Sequence, residues 1–159
     1  MISRRFLRRP ALRRAAVAVE FAFVAPVLIA IALSIIEVSR AYNAQNILET
    51  AAREGARFAS MDREGLLRNG QTTNSKMIND VTNFLASSGI DRNVIEVTVT
   101  DAETGSPFDL DDTDNDLRLF EVGISVPYSS VSYLPVTPGR DFTMRASIIF
   151  RNGRATLSQ

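Results

Sequence analysis

Glu20 is a carboxylate set inside an apolar run, Ala15 to Ile36, that only it, Pro26 and Ser34 interrupt. An acid at the centre of a membrane helix costs roughly 2.5–3.5 kcal/mol on insertion scales, so Glu20 calls for a partner or a route to water. A second set of acids, Asp109, Asp111, Asp112, Asp114 and Asp116, lies in the link from Asp101 to Asp116 and raises calcium binding as its natural chemistry. An EF-hand loop opened at Asp112 would have Asp at its first, third and fifth places, but it needs Gly at the sixth and Glu at the twelfth. Leu117 and Gly123 stand there instead, and starting at Asp109 or Asp111 does not restore the pattern. A solvated acidic loop is expected, with no metal site and no cofactor; an irregular calcium site or a contact with a basic partner is the other reading. The chain also has no cysteine and no histidine, which removes thiol and imidazole nucleophiles or bases and the common zinc ligands. The carboxylates, hydroxyls and lysine that remain form no catalytic motif, so an enzyme is not expected.

The elements that must carry these residues begin with a basic head, Arg4, Arg5, Arg8, Arg9, Arg13 and Arg14. The formal charge is zero, yet taking those six from the 18 basic residues leaves 12 against 18 acidic ones. A basic end and an acidic body argue against nucleic-acid binding by the body, and arginines beside an apolar run read as a cytoplasmic retention signal. The 22 residues from Ala15 to Ile36 span roughly 33 Å as a helix, enough for a bilayer core of about 30 Å. Pro26, in the middle, removes a backbone donor and predicts a kink. Two other readings of this end stay open. Ala30-Ile31-Ala32 offers a small-x-small secretory cleavage site, although the apolar run continues past it through Leu33 to Ile36, and an uncleaved signal anchor would account for the arginines and the span.

After Ile36 the pattern becomes amphipathic, with Val38, Ala41, Ala44, Ile47, Leu48, Ala51, Ala52, Gly55, Phe58 and Ala59 recurring at three and four. One helix from Ala16 to about Ser60 is expected, roughly 65–70 Å long. Glu37 with Arg40, Glu49 with Arg53 and Glu54 with Arg57 line its polar faces. Ala51, Ala52, Gly55 and Ala56 are small enough for another backbone to approach, either the chain's own domain or a neighbouring subunit. A polar loop through Gly65, Asn69, Gly70 and Gln71 to Ser75 follows. A second helix, capped by Asn74 or Ser75, then carries Met77, Ile78, Val81, Phe84 and Leu85 and ends at Gly89. Alternation predicts strands over Val94–Thr100, Leu117–Val126 and Phe142–Phe150, with Pro127, Pro135 and Pro138 marking an extended connection before the last. The expected fold is α+β: a long N-terminal helix, one further helix and a three-stranded antiparallel sheet. The division is a basic leader at 1–15, a transmembrane segment at 16–36, its amphipathic extension at 37–60 and an extracytoplasmic domain at 61–159. Without cysteine, packing alone must hold that domain.

Arg13-Arg14-Ala15 followed by Ala16 to Phe21, then the apolar run, Ile36 to Tyr42 and Ala51 to Arg57, form an ordered set that resembles the TadE-like family. The resemblance covers about Ala15 to Ser60. It implies a pseudopilin or minor pilin of the tight-adherence (Flp-type) pilus assembly system, held in the bacterial inner membrane by a single pass, with its N-terminus cytoplasmic and its C-terminal domain outside. Its implied partners are other pilin and pseudopilin subunits, inner-membrane assembly proteins, membrane lipid and a prepilin peptidase. The implied processing site is Ala15–Ala16, with Glu20 fifth in the mature chain. The family usually has Gly before the cut, where this chain has alanine. Cleavage would give Ala16 a new amino group, and Glu20, on the same or a neighbouring helix, could pair with it and fix axial register. Glu20 is also only about 6 Å along the helix from Ala16, close enough to reach interfacial water. The alternative function is a single-pass membrane-anchored binding domain unrelated to pili.

Overall fold

The structure, a computed structural model, describes residues 9–61, 67, 70–133 and 141–153. Arg4, Arg5 and Arg8 of the basic head, Gly65 and Asn69 of the first loop, and Pro135 and Pro138 lie outside the described residues. The architecture is α+β: helix α1 (Arg9–Ser60), helix α2 (Thr73–Ser87) and strands β1 (Glu96–Asp101), β2 (Leu119–Pro127) and β3 (Thr143–Arg151). Helix α1 starts at Arg9, ahead of the expected Ala16. Arginine, alanine and leucine are good helix formers, and Pro10 stands in the first turn, where its missing N–H breaks no bond. The chain divides after Ser39 into two compact units.

In the first unit α1 runs past Pro26 as continuous helix. The second unit opens with the rest of α1, whose Ala44, Leu48, Ala51, Ala52, Gly55, Ala56 and Ala59 are buried at the three-and-four spacing of one helical face. Gly55 sits against α2, where an added Cβ would lie 2.8 Å from Val81 Cγ2 and 3.3 Å from Met77 Sδ. A bulky side chain there has to push α2 away, so Gly55→Leu is expected to destabilise the second unit by about 1–3 kcal/mol. A thermal melt of the detergent-solubilised chain reads this as a lower transition, and an unchanged transition would show that the helix pair yields freely.

Helix α2 is capped by Thr72, whose hydroxyl accepts from the Ser75 N–H, rather than by Asn74 or Ser75. Asn74 is engaged elsewhere: its Nδ2 donates to the Phe108 carbonyl and its Oδ1 accepts from the Leu110 N–H. Met77, Val81 and Leu85 are buried, Ile78 is half-buried and Phe84 is exposed. Gly89 takes the left-handed conformation expected beyond the helix end, at φ 93°. Strand β1 begins at Glu96 instead of Val94 because residues 92–94 close a short 3₁₀ turn capped by the Asp91 carboxylate. The sheet is an antiparallel meander in the order β1-β2-β3. Its register sets Val99, Val122 and Ile148 in one row and Val97, Ile124 and Ala146 in the next. Phe120, Val122, Ile124 and Val126 are all buried, so β2 is the apolar centre of the unit. Leu117 falls outside β2, in a left-handed conformation at φ 63°.

The acidic link folds as a chain of side-chain caps. Asp111 accepts from both the N–H and the hydroxyl of Thr73 at the start of α2. Asp109 accepts from the Asp111 N–H, and Asp112 from the Asp114 N–H. Buried Asn152, just past β3, donates to the carbonyls of Leu110 and Asn115 and so ties the link to the sheet. Asp109 and Asp112 satisfy backbone donors of the turns they stand in, and Asp111 one at the start of α2. Among the described residues no three carboxylates converge as metal ligands.

Asp101, at the end of β1, is held below its ordinary pKa of 3.8. The Thr104 N–H contributes most, then the Glu103 N–H, with the Thr104 hydroxyl and the Arg118 guanidinium adding to them against partial desolvation. A carboxyl whose pKa is depressed by folding stabilises the folded state above its unfolded pKa and loses that contribution as pH falls through the folded value. The second unit is therefore expected to lose stability below about pH 4, and Asp101→Asn should flatten that part of the profile. Identical acid limbs for the two proteins in a pH-dependent melt would count against this.

Candidate functional site

The first unit contains the sequence's most unusual chemistry on a single stretch of helix. From Ala15 to Ile36 every side chain is exposed except half-buried Ala25. Phe23 is 76% exposed and Val17, Phe21, Val27 and Ile35 are also open. Apolar surface of this extent is unstable in water, since each buried Val, Leu, Ile or Phe side chain is worth about 1.5–3 kcal/mol. Among the described residues this is the one helix long and apolar enough to cross a membrane, so it fits a single-pass anchor.

The polar interruptions fall into two kinds. Ser34 is satisfied within the helix, its hydroxyl donating to the Ala30 carbonyl at 2.8 Å. That back-bond is the usual way a hydroxyl lies at membrane depth. Glu20 is exposed on the same helix, together with Ala15 and Ala16. The three occupy consecutive turns near the start of the apolar run, and the carboxylate is open to any cationic partner from outside the unit.

The small residues singled out for helix packing lie in the second unit, where the chain covers them itself. Ala51, Ala52 and Ala56 are each within 1% of full burial, and Gly55 is buried beneath Val81 and Met77. An open small-residue face lies on the first unit instead. Pro26, Ala30 and Ser34, at intervals of four, form a shallow depression bordered by Val27, Ile31, Ile35 and Val38. The spacing of these small residues within the run is a small-xxx-small pattern, which is the signal that would have located the face from sequence.

The polar partners of the second unit's helix are local. Glu54 accepts from Arg57 at 2.8 Å and Glu49 lies 3.8 Å from Arg53, both on exposed surface and worth only tenths of a kcal/mol. Arg40 reaches further, donating to the Val131 carbonyl and lying 3.5 Å from the centre of the Tyr133 ring.

No curated protein and no solved structure matches the chain. A family model described as TadE-like protein matches residues 15–57. That stretch takes in the exposed apolar helix, Glu20, the open face at Pro26, Ala30 and Ser34, and the covered alanines of the second unit; over it, the chain is similar to the TadE-like family.

Proposed function

We propose that the protein is a membrane-anchored, non-catalytic, pseudopilin-like subunit acting in assembly of a tight-adherence (Flp-type) pilus. One observation carries the reading: the TadE-like match takes in the exposed apolar run that holds Glu20. A helix of that kind has to be covered by lipid or by other helices, and its acid needs a cation. The N-terminus lies in the cytoplasm and the second unit outside it, in the bacterial inner membrane, as the arginine-rich head favours under the positive-inside rule. A prepilin peptidase cuts between Ala15 and Ala16, and the new Ala16 amino group pairs with Glu20 of the same or a neighbouring subunit. Other pilin or pseudopilin subunits and inner-membrane assembly proteins bind through the N-terminal helix.

The intact mass of the membrane-extracted protein tests the processing step. A chain beginning at Ala16 is expected. A chain beginning at Leu33 would mean ordinary secretion, and an intact Met1 would mean an uncut anchor. Deletion of the gene is expected to abolish surface pili, with restoration by the full-length copy; normal piliation in the deletion strain would remove the assembly role.

A further inference from the structure

The aromatic residues at one end of the second unit form a surface that the assembly reading does not use. Tyr128, Tyr133 and Phe142 lie there. Tyr133 carries the Arg40 guanidinium over its ring, and Arg40 also donates to the Val131 carbonyl. Tyr128 stacks on Phe142 with ring centres 4.6 Å apart, and its N–H donates to the Phe142 carbonyl. The neighbouring Asp141 carboxylate is occupied by the Ser129 N–H and hydroxyl, which closes the turn. The rings nevertheless remain open: Tyr133 is 70% and Phe142 56% exposed. An apolar ring with a polar tip beside an arginine is the composition that settles at a membrane–water boundary.

The position along the chain agrees with that chemistry. Arg40 follows Ile36, the last residue of the apolar run, by four positions, about 6 Å of helix. The headgroup zone on each side of a bilayer core is roughly 5–7 Å deep. Because Arg40 is bonded to Val131 and covers Tyr133, the turn at residues 128–133 is tied to a residue only four positions past the apolar run.

We propose that Tyr133 and Phe142, with Arg40, form a lipid-headgroup contact. The inference rests on the membrane-anchor reading of the apolar run. Arg40 meets lipid phosphate, and the two rings occupy the interfacial layer.

The chain has no tryptophan, so single-tryptophan variants report position without interference. Full-length Y133W, F142W, V27W and I149W are reconstituted separately into phosphatidylcholine vesicles carrying doxyl groups either near the headgroup or deep in the acyl chain. Y133W and F142W are expected to lose emission to the shallow quencher and to be blue-shifted. V27W should lose emission to the deep quencher, and I149W, on the exposed sheet surface, only to aqueous iodide. If Y133W and F142W behave like I149W while V27W is quenched by lipid, the anchor stands and the headgroup contact falls. If V27W is also untouched by lipid, the anchor reading fails and takes the contact with it. A blue shift that appears only as protein per vesicle rises would mean that a second copy covers the rings, which also overturns the proposal.

Discussion

Phe120→Ala is expected to lower the stability of the second unit by about 3–5 kcal/mol. Phe120 is fully buried in the central strand and stacks on buried Phe108, with ring centres 5.7 Å apart. Removing the ring leaves a cavity between the sheet and the acidic link that the neighbours cannot fill without breaking the register of β2, which is paired on both sides. Domains of this size are stable by only about 5–15 kcal/mol, and 1 kcal/mol moves the melting midpoint by several degrees. The loss is therefore a large fraction of the total. Hydrogen exchange of the β2 amides in the detergent-solubilised chain should speed up by about two to four orders of magnitude. An exchange rate within a factor of ten of the native chain would show that the core is not centred on this ring.

Glu20→Ala is expected to have the largest effect on function and almost none on folding. Glu20 is exposed on the helix of the first unit, outside the core of the second. Membrane insertion should persist or improve, because a carboxylate on an apolar helix opposes it. Pilus assembly and co-purification with pilus components are expected to fall to background if Glu20 sets register by pairing with an amino terminus. Glu20→Gln separates charge from hydrogen bonding: it keeps the shape and polarity but loses the ion pair, and assembly should stay lost. Wild-type assembly by either variant would reduce Glu20 to a residue that merely reaches interfacial water.

The strands were legible because alternation has a period of two and one face of the sheet is buried. Phe120, Val122, Ile124 and Val126 declare that face without help from the fold. Where the boundaries moved, a contact distant in sequence was responsible. Asn74 is as good a cap as Thr72 by residue type, but Phe108 and Leu110 claim its side chain, so the cap passes to Thr72. The aspartates were legible as an acidic loop that fails the EF-hand pattern. Their roles were not, since Asp111 finds Thr73 across 38 positions.

For the candidate site the division follows the same physical line. Composition and spacing alone determined the apolar span, the isolated acid within it and the change to an amphipathic stripe after Ile36. These are properties of one helix and need no neighbour to define them. Only the tertiary structure decided what each face meets. It placed α2 over Gly55, covering the small residues that spacing had left open to a partner, while Pro26, Ala30 and Ser34 stayed uncovered. It also joined Arg40 to Val131, 91 positions away, and set the Tyr133 ring under its guanidinium. Helical periodicity fixes which residues share a side; the packing of distant segments fixes whether that side is free.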